Sequence, residues 1–277
     1  MTEAPVIHDL PLMTSPEVKA ALPAIGCLLV PVGSCEQHGP NLALAADAAQ
    51  SAAYARLLAG AMHPRVAVAP TINYGLSEHH MHFAGSTTLT AETFINICVE
   101  VAVGFARHGL RHVLFVNGHG GNAAALSIVC DRLHGEHGMQ AAHTTAAVVG
   151  AAEQAPKIHQ GRDVGHGCEF EVSSAMHLCP EVVREAALTP GDLVENTVRH
   201  TRALGSLIHR SYHWEERTRN GVLGDAAAAA SAAHGGEMTE RGLRILCEFL
   251  EDFMALPVPG DAELARDKPD LLSEGSS

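Results

Sequence analysis

Continuous apolar runs alternate along this chain with longer alanine-rich or amphipathic segments. Ile25 to Val32 reads as a buried strand, and Val66 to Pro70, Arg111 to Val116 and the Thr144 to Val149 region read the same way. Between them, Asp47 to Met62 is rich in alanine and leucine, a segment capped by Thr90 has helical periodicity to Gly109, and Ala123 to His137 follows a glycine-rich turn. A further helix opens near Gly165 and runs through Leu178. Strand, loop and helix recurring in that order predict an α/β fold with a mostly parallel sheet.

The flanks are simpler. Residues 1–24 are punctuated by proline and predict a leading arm with a short helix near Ser15 to Ala21. Pro190 to Gly224 is loop-rich and holds the single tryptophan, Trp214. Ala226 to Ala233 and Gly242 to Phe253 predict helices, the second with Leu243, Leu246, Phe249, Leu250 and Phe253 on one face. One domain is therefore expected over residues 1–257, with a loosely held tail, rich in proline, acid and serine, over 258–277.

The polar positions that interrupt this pattern gather after the strands, where open α/β sheets place their chemistry. Glu36 and His38 follow the first strand and share a face of an extended segment, and Asp47 opens the next helix. Carboxylate, imidazole and carboxylate suit a divalent ion, whereas a polar turn with Asp47 as an N-cap is the simpler alternative. His119 lies in Asn117-Gly-His-Gly-Gly-Asn122, whose Gly120 and Gly121 either cradle an anion or let the chain turn. His166, Glu169 and Glu171 follow later, at the start of a helix.

Composition narrows the field. A formal net charge of −13 argues against a nucleic-acid partner. No apolar run reaches the roughly 20 residues of a membrane helix, and the N-terminus lacks the pattern of a signal peptide. Seven cysteines without paired spacing read as reduced thiols of a cytoplasmic protein, most of them packed. The 19 histidines stand out, but only those beside other site-like residues call for a role.

Taken together, Glu36-Gln-His-Gly-Pro40, Asp47, the loop through Ser77, His80, Phe83 and Gly85, the Asn117 to Asn122 turn and His166-x-x-Glu-x-Glu171 resemble the creatininase family over roughly Leu22 to Leu256. The resemblance implies a three-layer α/β/α domain with a mostly parallel sheet, assembled as a hexamer. It implies two divalent ions per subunit, Zn²⁺ or Mn²⁺ with Fe²⁺ also accepted by such donors, bridged by Asp47. Glu36 and His119 would bind one ion and His38 the other. Where creatininases place a glutamate two residues after the loop histidine this chain has Gly121, and Glu169 is expected to complete the second site. His166 matches the family acid/base. Glu171 would orient His166 or hold a ring nitrogen of the substrate, with a role at the helix dipole as the plainer reading. Ser77, His80 and Gly120 are candidate substrate contacts.

Departures from the family pattern bear on substrate. Creatininases close the pocket with two tryptophans, one just before the later histidine; Trp214 lies well outside that loop, and Arg162 stands near the corresponding position, suited to a carboxylate or phosphate. Cys35, Asn41, Ala84 and Gly167-Cys168 replace a usual threonine, histidine, proline and Ala-Gly. The expectation is an amidohydrolase that uses metal-activated water on a non-peptide C–N bond of a small molecule, a cyclic amide or formamide rather than creatinine. Trimming of a precursor peptide and non-catalytic metal binding are the alternatives.

Overall fold

Six consecutive buried residues, Cys27–Val32, form the strand β2 around which the sheet is laid. In the computed structural model, which describes residues 6–145, 165–194 and 211–259, it pairs in parallel with Val66–Val68 (β3) on one side and His112–Asn117 (β4) on the other. His8–Asp9 (β1) flanks β3, Gln140–Thr145 (β5) flanks β4, and the order is β1-β3-β2-β4-β5, all parallel.

Alternate residues of β2 send their side chains to opposite layers, as a pleated strand requires. Leu28, Val30 and Val32 pack with Phe94 and Val99 of Ala91–Ala106 (α3) and with Leu126 and Val129 of Ala123–His137 (α4). Cys27 and Leu29 pack with Tyr54 and Leu58 of Ala46–Ala61 (α2) and with Leu246, Leu250 and Phe253 of a long last helix, Ala232–Ala255. The result is a three-layer α/β/α domain. Both sheet faces are covered, so the central strands read as unbroken apolar runs.

Several boundaries differ from the sequence pattern. Ser15–Ala21 (α1) forms as expected, with a capping box between Thr14 and Glu17. The strand expected near Thr144 begins at Gln140, because pairing with β4 sets its register; residues 146–149 lie outside the described residues. Glu169–Leu178 (α5) starts later than Gly165, since Gly167 has a left-handed φ of 58° and His166 bridges Leu223. Ala226–Ala229 (α6) is a single turn, and the last helix (α7) begins at Ala232 rather than near Gly242. Two glycines let it do so by lying against α5: a Cβ on Gly235 would come within 2.0 Å of the Ser173 carbonyl oxygen. The tail from residue 260 onward is outside the described residues.

Two other glycines position the candidate site. The first turn of α2 descends onto the ends of β2 and β4, where Val32 pairs with Asn117. A Cβ on Gly33 would lie 2.4 Å from Ala48 N, and one on Gly118 would lie 2.2 Å from Asp47 O. The backbone contacts leave no flexible group to yield. Gly118→Ala should therefore cost about 1–3 kcal/mol through overpacking; an unchanged urea midpoint would contradict this account of the helix seat.

Candidate metal centre

The loop after β2 carries Glu36 and His38 back over the sheet edge. The Glu36 N–H donates to the Leu44 carbonyl at 3.2 Å, which closes the loop just before α2 begins. Asp47 is the second residue of that helix and does not act as its cap; instead its carboxylate meets the loop, with Oδ1 3.1 Å from His38 Nε2 and Oδ2 3.3 Å from His119 Nδ1. His119 Nδ1 is also 3.0 Å from Glu36 Oε2. Glu36, His38, Asp47 and His119 are all buried.

The remaining nitrogen of each imidazole determines what it can do. His38 Nδ1–H donates to the Glu36 carbonyl at 3.2 Å, and His119 Nε2–H donates to the Leu76 carbonyl at 3.0 Å. Each carbonyl holds its ring so that the other nitrogen points at Asp47, the tautomer a metal ligand needs. His38 Nε2 and Asp47 Oδ2 are buried without a hydrogen bond although oppositely charged groups lie close by. Atoms that converge in this way without bonding one another fit a shared cation. Glu36, Asp47 and His119 form one ligand group, their donor atoms all within 4.8 Å.

Electrostatics agree with that fit. Burial alone would raise the Asp47 carboxyl, but His38 and His119 outweigh it and hold the group well below the usual carboxylate range. Burial would likewise lower His38, yet the Asp47 carboxylate raises it to about 9. His119 is lifted well above its ordinary value, against burial, by Glu36 and Asp47. Two buried carboxylates thus draw positive charge into the site.

A second group joins His38 to His166 and Glu171, again within 4.8 Å. His166 Nε2–H donates to the Gln37 carbonyl at 2.5 Å, leaving Nδ1 facing Glu36 Oε1 at 3.7 Å. Burial and the neighbouring His38 push His166 down to about 3, so its ring is neutral. Glu171 accepts the Gly167 N–H at 2.5 Å, and burial pushes its carboxyl up to about 7. Glu169 faces elsewhere: its Oε2 accepts the Asp225 N–H at 2.7 Å, and among the described residues the ligand groups contain Glu171 and not Glu169. At Gly121, a Cβ would lie 2.3 Å from His119 Nε2 and 2.5 Å from Leu76 O. The contact that orients His119 depends on Gly121 having no side chain.

Other expected residues take different places. Ser77 is fully buried beneath Glu36, to which its hydroxyl donates at 2.5 Å, and its contact with Ser34 is shorter still. His80 does reach the cavity, where the Gln37 amide meets its Nδ1 at 2.9 Å; burial and adjacent histidines hold it strongly down and neutral. Gly120 lines the cavity with open space at its Cα. Arg162 lies outside the described residues. Asn117 and Asn122 brace the turn: Asn122 donates to Gly33 O at 3.1 Å and accepts from Leu76 N–H at 2.9 Å. Burial raises the Cys168 thiol to about 12, consistent with packing rather than nucleophilic chemistry.

Trp214 is the residue that linear position concealed. Its ring stacks on His166 with centroids 5.0 Å apart, and its indole N–H donates to His80 Nε2. Arg217 lies beside it, 4.9 Å from the Tyr212 ring centroid and hydrogen-bonded to the Tyr212 hydroxyl at 3.0 Å. These residues form one wall of a cavity of about 1250 Å³ that opens onto Glu36, Asp47, His119 and Glu171. The only local signal was that Trp214 is the single tryptophan.

Comparison with known proteins follows the same lines. The sequence model of the creatininase family, described as creatinine amidohydrolase, matches residues 11–250. The mycofactocin precursor peptide peptidase of Mycobacterium ulcerans (strain Agy99) is 32% identical over 255 residues, covering 90% of each chain. The creatinine amidohydrolase of Pseudomonas putida is 28% identical over 191 residues, 62% of this chain and 72% of that one. A solved mutant creatininase of the Zn–Zn type superposes with a TM-score of 0.75 at 21% identity, over 91% of this chain and 100% of that chain.

The brace of the histidine turn is open to test. Asn122→Ala strips partners from Gly33 O and Leu76 N–H, at a cost of about 1–3 kcal/mol. Chemical denaturation should show the loss, and elemental analysis should show less retained metal, because Leu76 positions His119. Wild-type values for both would contradict the bracing role.

Proposed function

Because the chain belongs to the creatininase family, we propose that it is a metal-dependent hydrolase of an amide C–N bond, in which Asp47 would serve two divalent ions. Glu36 and His119 would complete one ion's shell, and His38 and Glu171 the other's. The observation that carries this reading is the pair of backbone carbonyls, Glu36 O and Leu76 O, that turn the free nitrogens of His38 and His119 towards a single carboxylate. The geometry favours Glu171 over Glu169 for the second ion, since Glu171 lies within reach of His38 and Glu169 is engaged with Asp225. It also accounts for the glycine at position 121: the second carboxylate comes from α5 instead of the histidine turn.

Ions bound there supply Lewis acidity, polarising a carbonyl and lowering the pKa of water towards neutrality. The protein's own groups do the rest. His166 has Nδ1 directed into the site, placed to take a proton from the attacking water and to pass it to the departing nitrogen. A C–O bond forms, the C–N bond breaks, and a carboxylate and an amine leave. Gln37 O keeps His166 in the required tautomer, and Trp214 closes its other face against water.

The size of the cavity favours an extended substrate. About 1250 Å³ exceeds the roughly 300–1000 Å³ typical of small-molecule pockets, and a relative at 32% identity acts on a precursor peptide. We therefore read the bond as one in a short peptide, with Arg217 on the wall placed for a carboxylate. The similarity to the creatinine amidohydrolase of Pseudomonas putida supports a second reading, a small cyclic amide or formamide.

Asp47→Ala should remove turnover and the ions of this centre, and retained turnover would overturn the proposal. Glu171→Gln should lower the metal content by about one ion per chain while Glu169→Gln keeps it; the opposite pattern would return the second site to Glu169. A panel of short peptides, lactams and formamides decides the substrate: cleavage of lactams or formamides alone would reject the peptide reading.

A further inference from the structure

Outside the centre described above, a separate set of ligand-type side chains meets where the exposed loop after β3 touches the segment that carries Trp214. His82, His213 and Glu215 each offer a donor atom, all within 4.8 Å of one another. His82 Nδ1 contacts Glu215 Oε1, and the His82 and His213 rings stand nearly perpendicular with centroids 4.9 Å apart. An ordinary surface ion pair between His82 and Glu215 would account for only part of this and would contribute little. It leaves Glu215 Oε2 buried without a hydrogen bond. Polar atoms are costly to bury unpartnered.

We propose that His82, His213 and Glu215 form a separate site for a borderline transition cation of the Zn²⁺ class. Two imidazoles and one carboxylate make a usual donor set for such an ion, with water in the fourth position. Access is open, since the His82 side chain is 57% exposed and that of Glu215 38%. The site shares no residue with the catalytic groups, and it stands whichever bond the enzyme cleaves.

Its consequence lies in what it joins. His82 is two residues from His80, and His213 and Glu215 are the immediate neighbours of Trp214. Trp214 donates to His80 and stacks on His166. A cation held across the two segments clasps the aromatic wall onto the histidines it covers. In its absence that wall depends on the indole contacts and on Arg217 packed over Tyr212 and Trp214. The ion would thus act as a positioning element at the edge of the cavity.

Trp214 is the single tryptophan, so its fluorescence reports on this wall alone. Protein loaded with its catalytic ions and cleared of excess would be titrated with Zn²⁺, following bound zinc by elemental analysis and Trp214 emission in parallel. Wild type should take up one further equivalent with a change in emission. His82→Ala, whose exposed side chain makes misfolding a minor concern, should lose both responses, as should His213→Ala. Asp47→Ala should keep them, which separates this site from the catalytic one. Zinc uptake equal in wild type and His82→Ala, no equivalent beyond the catalytic ions, or loss of the response in Asp47→Ala would each overturn the proposal.

Discussion

The constraint on which the rest of the structure depends is the seat of α2. Its first turn lies so close to the ends of β2 and β4 that neither Gly33 nor Gly118 has room for a Cβ. That approach brings a carboxylate at the second helical position within contact distance of imidazoles from two different loops. A helix start also favours negative charge, so Asp47 is stabilised by the backbone dipole as well as by its partners. The site is a product of packing between backbone segments, and the side chains that would hold metal inherit their positions from it.

Burying Glu36 and Asp47 together is costly unless positive charge accompanies them. The protein supplies that charge with His38 and His119, whose raised proton affinities are the mirror image of the lowered carboxylates. The same two imidazoles are tied through their outer nitrogens to main-chain carbonyls and so stay aimed when the inner nitrogen gives up its proton to a cation. A cation bound at this centre would displace those protons in the same event. His166, pushed the other way by burial and by His38, remains neutral beside them. Groups of identical chemistry are thus shifted in opposite directions within one cluster according to which charges face them.

Membership of the creatininase family accounts for the sheet and the loop order, while the local departures shape the cavity. Gly121 leaves the histidine turn without a side chain there, and the space is taken by the contact between His119 and Leu76. The aromatic wall arrives on a different part of the chain: Trp214, Tyr212 and Arg217 form one packed unit beside His166 and His80.

The periodicity of the chain by itself determined the α/β alternation, since strands buried on both faces must be apolar throughout and the covering helices must show an amphipathic or alanine-rich pattern. It also placed Glu36, His38 and His119 on loops and Asp47 at a helix start along one sheet edge, because loops after parallel strands have nowhere else to go. Three things required the tertiary structure. The register of β5 was set by pairing with β4, and α7 extended ten residues upstream of Gly242 because Gly235 packs against α5. Whether Glu169 or Glu171 faces His38 depended on how α5 is rotated, which residues two apart on a helix do not reveal. Trp214 reached the cavity wall through contacts between residues far apart in sequence, and no local pattern encodes such contacts: they follow from how the layers close.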